Sequence, residues 1–292
     1  MSATPINTQT LQDARNISRM NTLLDRSIAR LSSGSRMVAA SDDPAGSALA
    51  EKLSAQNLRV GAASTNVQNA VSFTQSVDGF LDGMGDLLGR MSELAILARD
   101  PLKNAGDLAL YQQEFEQLQT QIRNTIGGNT TDIGGTYNIT KPFGTFNGRT
   151  LFGANPAGTV IATGQASTQR LTIPETNLRD GAMLSMFQQD AAGVFTMSVT
   201  DAAAIGNINS AIGEIADERS TLGAVGGRLE LVASALASEG ESLTSTISKI
   251  SDIDVATEST RMAKYDLLTK SGTAMLTQAN QSTRSVLRLL QG

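Results

Sequence analysis

The sequence predicts a mainly α protein: a long antiparallel coiled-coil or helix-bundle rod with paired terminal helices and a small β-hairpin region. Three observations carry that expectation. A heptad of apolar residues runs from Leu49 to Ala98, both ends of the chain carry apolar stripes at helical spacing, and glycine and proline break up the middle.

The first stripe is Leu11, Ala14, Ile17, Met20, Leu24, Ile28 and Leu31, in steps of three and four, within a helix expected over roughly residues 4 to 31. Its apolar face needs a cover that no compact core in this chain obviously offers. At Asp42-Asp43-Pro44 the sequence predicts a helix start, with Asp43 as N-cap, Pro44 as first helical residue and Asp42 as a charge favoured by the helix dipole. The three mark a junction between terminal helix and rod. Two adjacent carboxylates could in principle divide acid and base roles, but successive residues seldom face each other and no partner base is present.

The rod's first seam is Leu49, Leu53, Gln56, Val60, Ala63, Val67, Ala70, Thr74, Val77, Leu81, Met84, Leu88, Met91, Ala95 and Ala98. A helix of that span is on the order of 75 Å long, far beyond the mean of a globular domain. Asp100-Pro101 ends it, since proline disfavours helix in the residue before it. The rhythm resumes at Leu108, Tyr111, Phe115, Leu118, Ile122 and Ile126, which predicts a second, antiparallel helix.

Between residues 127 and 200 the paired glycines Gly127-Gly128 and Gly134-Gly135, and alternations such as Val194 to Val199, predict turns and hairpins clasped to the rod. A third rod helix follows through Ile208, Ile212, Ile215, Leu222, Leu229, Ala233, Leu236, Leu243, Ile247 and Ile250, with Arg219, Gly226 and Gly240 at seam positions. Three long helices of this kind bundle along one axis. The glycines of Leu222 to Gly227 lack the preceding strand and following Lys-Ser/Thr of a phosphate loop, so close helix packing is their expected role. The last stripe, Leu268, Gly272, Met275, Ala279, Val286 and Leu290, lies in a helix expected over 253 to 290.

The expected division is therefore 1–44 and 253–292 as terminal assembly helices, 45–130 and 201–252 as rod, and 131–200 as a small β- and turn-rich part of the rod domain. Composition agrees with a polymer subunit more than with an enzyme. In 292 residues there is no Cys and no His, which closes off Ser/His/Asp triads, thiol nucleophiles and thiolate or imidazole zinc sites. Neither catalytic residues, nor a metal, nor a cofactor are expected. The charge of −5 is spread over mixed acids and bases, so no nucleic-acid surface is expected. No run reaches the length of a membrane span, and no basic region followed by an apolar run marks a cleaved signal, so exit from the cell would need another route. Asn129-Thr130-Thr131 and Asn138-Ile139-Thr140 match the glycosylation acceptor pattern.

Residues 28 to 50, IARLSSGSRMVAASDDPAGSALA, resemble the N-terminal signature of bacterial flagellin. Residues 254 to 290 are similar to its C-terminal signature, with Asp254, Ala256, Glu258, Gln278-Ala279-Asn280 and the closing Leu287, Leu289 and Leu290 in matching places. TFNGRTLF (145 to 152) and TLGAVGGRLE (221 to 230) add shorter matches in the same order.

The resemblance implies a secreted, extracellular subunit of the flagellar filament, an open helical homo-oligomer with its terminal helices lining an inner tube. It implies passage through the flagellar export apparatus, with an export chaperone and a filament cap as partners. Leu11, Ile17, Leu24, Ile28, Leu31, Leu268, Met275, Ala279, Val286, Leu287 and Leu290 are then the polymerisation residues. LLGRMSELAILA (87 to 98) resembles the rod surface of flagellins that Toll-like receptor 5 recognises, with Arg90, Glu93 and Leu94 in matching places. The family's usual glutamine and second arginine are here Gly89 and Ser92, which weakens that expectation. The rival expectations are a hook-filament junction protein, which makes one short ring of subunits, and a secreted coiled-coil effector or adhesin with ordered ends.

Overall fold

The computed structural model describes residues 6–153, 157–166 and 168–291; the side chains of 6–10, 283–284 and 286–291 are not among what it describes. The helices are α1 (Ile6–Ser33), α2 (Pro44–Leu97), α3 (Ala105–Ile126), α4 (Thr130–Ile133), α5 (Gly181–Phe187), α6 (Ala204–Ser251) and α7 (Val255–Gln291). Two antiparallel strand pairs join them: β1 (Thr145–Phe146) with β2 (Arg149–Thr150), and β3 (Thr159–Ala162) with β4 (Arg170–Ile173). The chain is a mainly α protein with a small β region, and it divides into two compact units. The terminal unit is Met1–Leu58 with Glu241–Gly292, and the bundle unit is Arg59–Gly240. This division falls within α2 and α6, not at the helix breaks near residues 44 and 253.

In the bundle unit the α2 seam is buried at every expected position from Val60 to Ala98, with Leu94 beside it. Nearer the start of α2 it opens: Leu49 is exposed, and Leu53 and Gln56 are only half-buried. On α6 the buried residues are Ala204, Ile208, Ala211, Ile215, Leu222, Leu229, Leu236 and Leu243. Ala211 thus takes the place expected for Ile212: with Ile208, Ile215 and the leucines at every seventh residue buried, the inward position between 208 and 215 is the third residue on, not the fourth. Arg219 Nε reaches Asp78 Oδ1 at 2.8 Å and its Nη1 reaches Asp82 Oδ1 at 2.6 Å, tying α6 to α2. Exposed pairs of this kind are screened by solvent, so they set register more than stability.

α3 starts with a capping box: the Asn104 side chain accepts from the Asp107 N–H, and the Asp107 side chain accepts from the Asn104 N–H. Its buried face holds Phe115, Ile122 and Ile126, but also Gln119 and Arg123, while Leu118 is only half-buried. The polar pair is inside because backbone carbonyls meet it there. Arg123 donates to Ile133 O at 2.7 Å, Gly134 O at 2.6 Å and Phe187 O at 3.2 Å, so it closes the C-terminal ends of both α4 and α5. Burial pushes its guanidinium below the usual arginine range. Arg179 does the same for α3, donating to Ile126 O at 3.2 Å and Gly153 O at 2.8 Å.

The β1–β2 turn is Asn147-Gly148 with φ of +49° and +76°, the left-handed pair that a two-residue hairpin demands. Phe146 meets Phe73 of α2 edge-on at 5.7 Å, and Phe152 meets Phe80 at 6.3 Å, so the hairpin region is held to the rod by aromatic contacts. Val194 to Val199 is not a strand. Phe195 makes one bridge to Gln189, Val194 and Thr196 bond back to Asp190 and Gln188, and the end of the segment is tied to α3, with Ser198 Oγ and Val199 N donating to Gln112 Oε1 and Met197 O accepting from Gln119. The expected close packing at the α6 glycines is also absent within the chain: a Cβ at Gly223, Gly226 or Gly227 would meet nothing within 4 Å.

Candidate assembly surface

α1 and α7 lie antiparallel in the terminal unit, with Ser27 against Glu258 and Ile17 against Gly272. The approach at Gly272 is close, since a Cβ there would stand 2.9 Å from Ile17 Cγ1. Glycine is what permits it. A shallow groove of about 350 Å³ continues alongside, lined by Ala14, Ile17, Thr273, Leu276 and Thr277.

Pairing leaves most of the apolar surface in water. Among the described side chains of α1 and α7 no apolar one is fully buried. Leu11, Ile28, Val255, Leu267, Leu268 and Met275 are exposed, Met275 by 71%. Ile17, Leu24, Leu31 and Ala279 are half-buried. The side chains of Val286, Leu287 and Leu290 lie outside the described residues.

The buried side chains of the pair are polar. Ser27 and Glu258 are 2% and 3% exposed, and Ser27 Oγ donates to Glu258 Oε1 at 2.6 Å. Arg261, one turn on, donates to Glu258 Oε2 at 3.2 Å. No periodicity marks this contact, because its partners stand 231 residues apart.

The turn after α1 is clasped to the turn before α7. Gly34, at φ +69°, ends α1; Arg36 N then donates to Ser251 O at 2.7 Å and Ile253 N to Gly34 O at 3.1 Å, with a bridge between Ser35 and Asp252. Asp43 Oδ1 accepts from Gly46 N at 2.9 Å, so Asp43 caps α2 and Pro44 begins it. A Cβ at Gly46 would collide with that carboxylate. The Asp42 carboxylate serves the preceding turn, accepting from Val38 N and Ala39 N at 3.3 and 3.4 Å. Both acids are therefore engaged in capping.

Asp254 caps α7: Oδ1 accepts from Ala256 N and Thr257 N, and Oδ2 accepts from the Thr257 hydroxyl at 2.7 Å. The Thr257 hydroxyl, followed by its N–H, holds this carboxyl below the usual aspartate range. A depressed folded pKa stabilises the first turn of α7 fully above the unfolded carboxyl's pKa and loses that effect as pH falls through the folded value. The protection factors of the Ala256 and Thr257 amides, with exchange corrected for the intrinsic rate at each pH, are accordingly expected to fall on acidification over that window, and Asp254→Asn is expected to abolish that fall.

On the rod, Arg90 Nε reaches Glu114 Oε1 and its Nη1 reaches Glu93 Oε2, both at 2.7 Å. Leu94 is fully buried, so it leaves the receptor-facing surface that the resemblance implies; the helix turns it inward beside Ala95. Among the described residues no group of His, Cys, Asp or Glu is arranged to hold a metal, and no helix is long and apolar enough to cross a membrane.

A helical subunit with a self-sufficient buried seam and two terminal helices whose apolar residues stay uncovered is an assembly protein. Residues 6–138 match the bacterial flagellin N-terminal helical region and residues 205–290 the bacterial flagellin C-terminal helical region. Flagellin FlaB2 of Treponema pallidum (strain Nichols) is 31% identical over 281 residues, covering 95% of this chain and 96% of that protein. Flagellin of Bacillus subtilis (strain 168) is 30% identical over 304 residues, covering 98% of each. Flagellar filament core protein flaB2 of Brachyspira hyodysenteriae is 30% identical over 286 residues, again covering 98% of each. The chain belongs to the bacterial flagellin family, and it is a structural subunit of the flagellar filament.

Proposed function

We propose that this flagellin elongates an open helical polymer by burying the outward faces of α1 and α7 against neighbouring copies. The observation that carries this is the uncovered set Leu11, Ile28, Val255, Leu267, Leu268 and Met275 on a helix pair with no fully buried apolar side chain among those described. Alone, such a pair offsets little of the entropy of ordering it; neighbours supply the missing area. A polymer that does not close needs two different faces on each subunit, which the two helices offer. The α6 glycines, open within the subunit, leave room for a neighbour's side chains. The subunit acts outside the cell after passing through the flagellar export apparatus, with an export chaperone and a filament cap as partners, and it performs no catalysis and holds no cofactor.

Seeding purified subunit with filament fragments, followed by light scattering and negative-stain electron microscopy, tests the proposal. Long tubes are expected from the full chain. Chains lacking residues 1 to 30 or 260 to 292 are expected to stay soluble and helical, because the α2 and α6 seam is retained, yet to give no tubes. Normal filaments from either truncation would refute the assignment of assembly to the terminal pair.

A further inference from the structure

Among the described side chains of α1 and α7, the fully buried ones are Ser27 and Glu258, and their contact is polar. Ser27 and Glu258 are almost sealed from solvent, while Leu11, Ile28, Leu268 and Met275 on the same two helices stay in water. Apolar contact along a half-covered stripe tolerates a change of roll, because one leucine replaces another at small cost. A buried carboxylate does not. It needs its donors in place: Arg261, on α7 itself, moves with Glu258, but a roll takes Ser27 away and leaves the other carboxylate oxygen desolvated without its donor.

Two other features divide the task. The bridge between Ser35 and Asp252, with the hydrogen bonds from Arg36 and Ile253, is made of backbone and sets where α1 ends against the start of α7. It does not choose the faces that meet. Ser27 and Glu258 lie on the helices themselves, and the hydrogen bond at 2.6 Å requires one face of each. Gly272 takes Ile17 on that same setting. We propose that Glu258, acting through Ser27, is a positioning residue for assembly: it admits one roll of α1 against α7 and so decides which apolar side chains face a neighbouring copy. Single buried polar contacts fix register in helix pairs in just this manner. The proposal rests on the assembly reading for its consequence and on the geometry of the pair for its mechanism.

Disulfide trapping tests it, because the chain has no cysteine of its own. Ile17→Cys is combined in turn with Gly272→Cys, Ser271→Cys and Thr273→Cys, in the full-length chain before and after seeding, so that a variant that fails to elongate is still read. With Ser27 and Glu258 intact, the pairing with position 272 is expected to exceed either neighbour by about ten-fold, the selectivity that one charged hydrogen bond supplies. Glu258→Leu and Ser27→Ala are expected to bring the three yields to within about two-fold, and Glu258→Gln, which keeps an acceptor for Ser27, to retain most of the preference. Trapping at 272 that stays as selective in Glu258→Leu or in Ser27→Ala overturns the proposal. Elongation is scored separately in the same samples, so a failure of the assembly reading shows there and a failure of the positioning role shows in the trap.

Discussion

Met275→Asp is expected to abolish elongation while leaving the free subunit's helicity unchanged. In the single chain Met275 is mostly in water, so the charge costs nothing before assembly. On assembly the parent side chain would contribute about 1.5 to 3 kcal/mol of apolar burial per contact. The aspartate forfeits that and adds several kcal/mol of desolvation, repeated at each subunit of the polymer. Circular dichroism of the soluble subunit against seeded light scattering separates the two effects. Elongation at the parent rate would remove Met275 from the contact surface; a lost helix signal would show that it supports the pair itself.

Leu88→Ala should do the opposite, weakening the subunit before it touches assembly. Leu88 is fully enclosed in the α2 seam, and truncation there should cost about 2 to 5 kcal/mol of transfer and cavity terms. Ile212→Ala, at a position of α6 that is 36% exposed, should cost about 1 kcal/mol, well under the loss at Leu88. Urea unfolding of both variants checks the pair. Equal losses would mean that the seam runs through Ile212 after all.

What could be read from the chain without coordinates was whatever is local. The α2 seam and the start of α2 depend on spacing and on side chains within a few residues of their partners. The α6 seam was legible as leucines every seventh residue, and Ile212 was misplaced because apolar spacing alone does not choose between the third and the fourth residue after Ile208. What could not be read depends on groups brought from afar. Gln119 and Arg123 look like solvent residues until the carbonyls of Ile133, Gly134, Phe187 and Met197 fold over them. In the assembly surface the apolar stripes of both terminal helices were visible, but not that their sealed contact is a serine and a glutamate. Leu94 was placed on the surface by the receptor resemblance alone; it stands one position before Ala95 of the seam, and a bundle buries a wider face than a two-helix seam does.

The ion pairs of the bundle unit bear on the order in which it folds. Arg90 and Glu114 are 24 residues apart in the chain, whereas Arg219 and Asp78 are 141. Loop closure becomes costlier with length, so the α2–α3 hairpin is expected to close before α6 docks. Until α6 arrives, the α2 seam lacks that cover. The time the seam waits for its cover is then expected to depend on the long segment between α3 and α6, and strengthening the helices themselves would not shorten it.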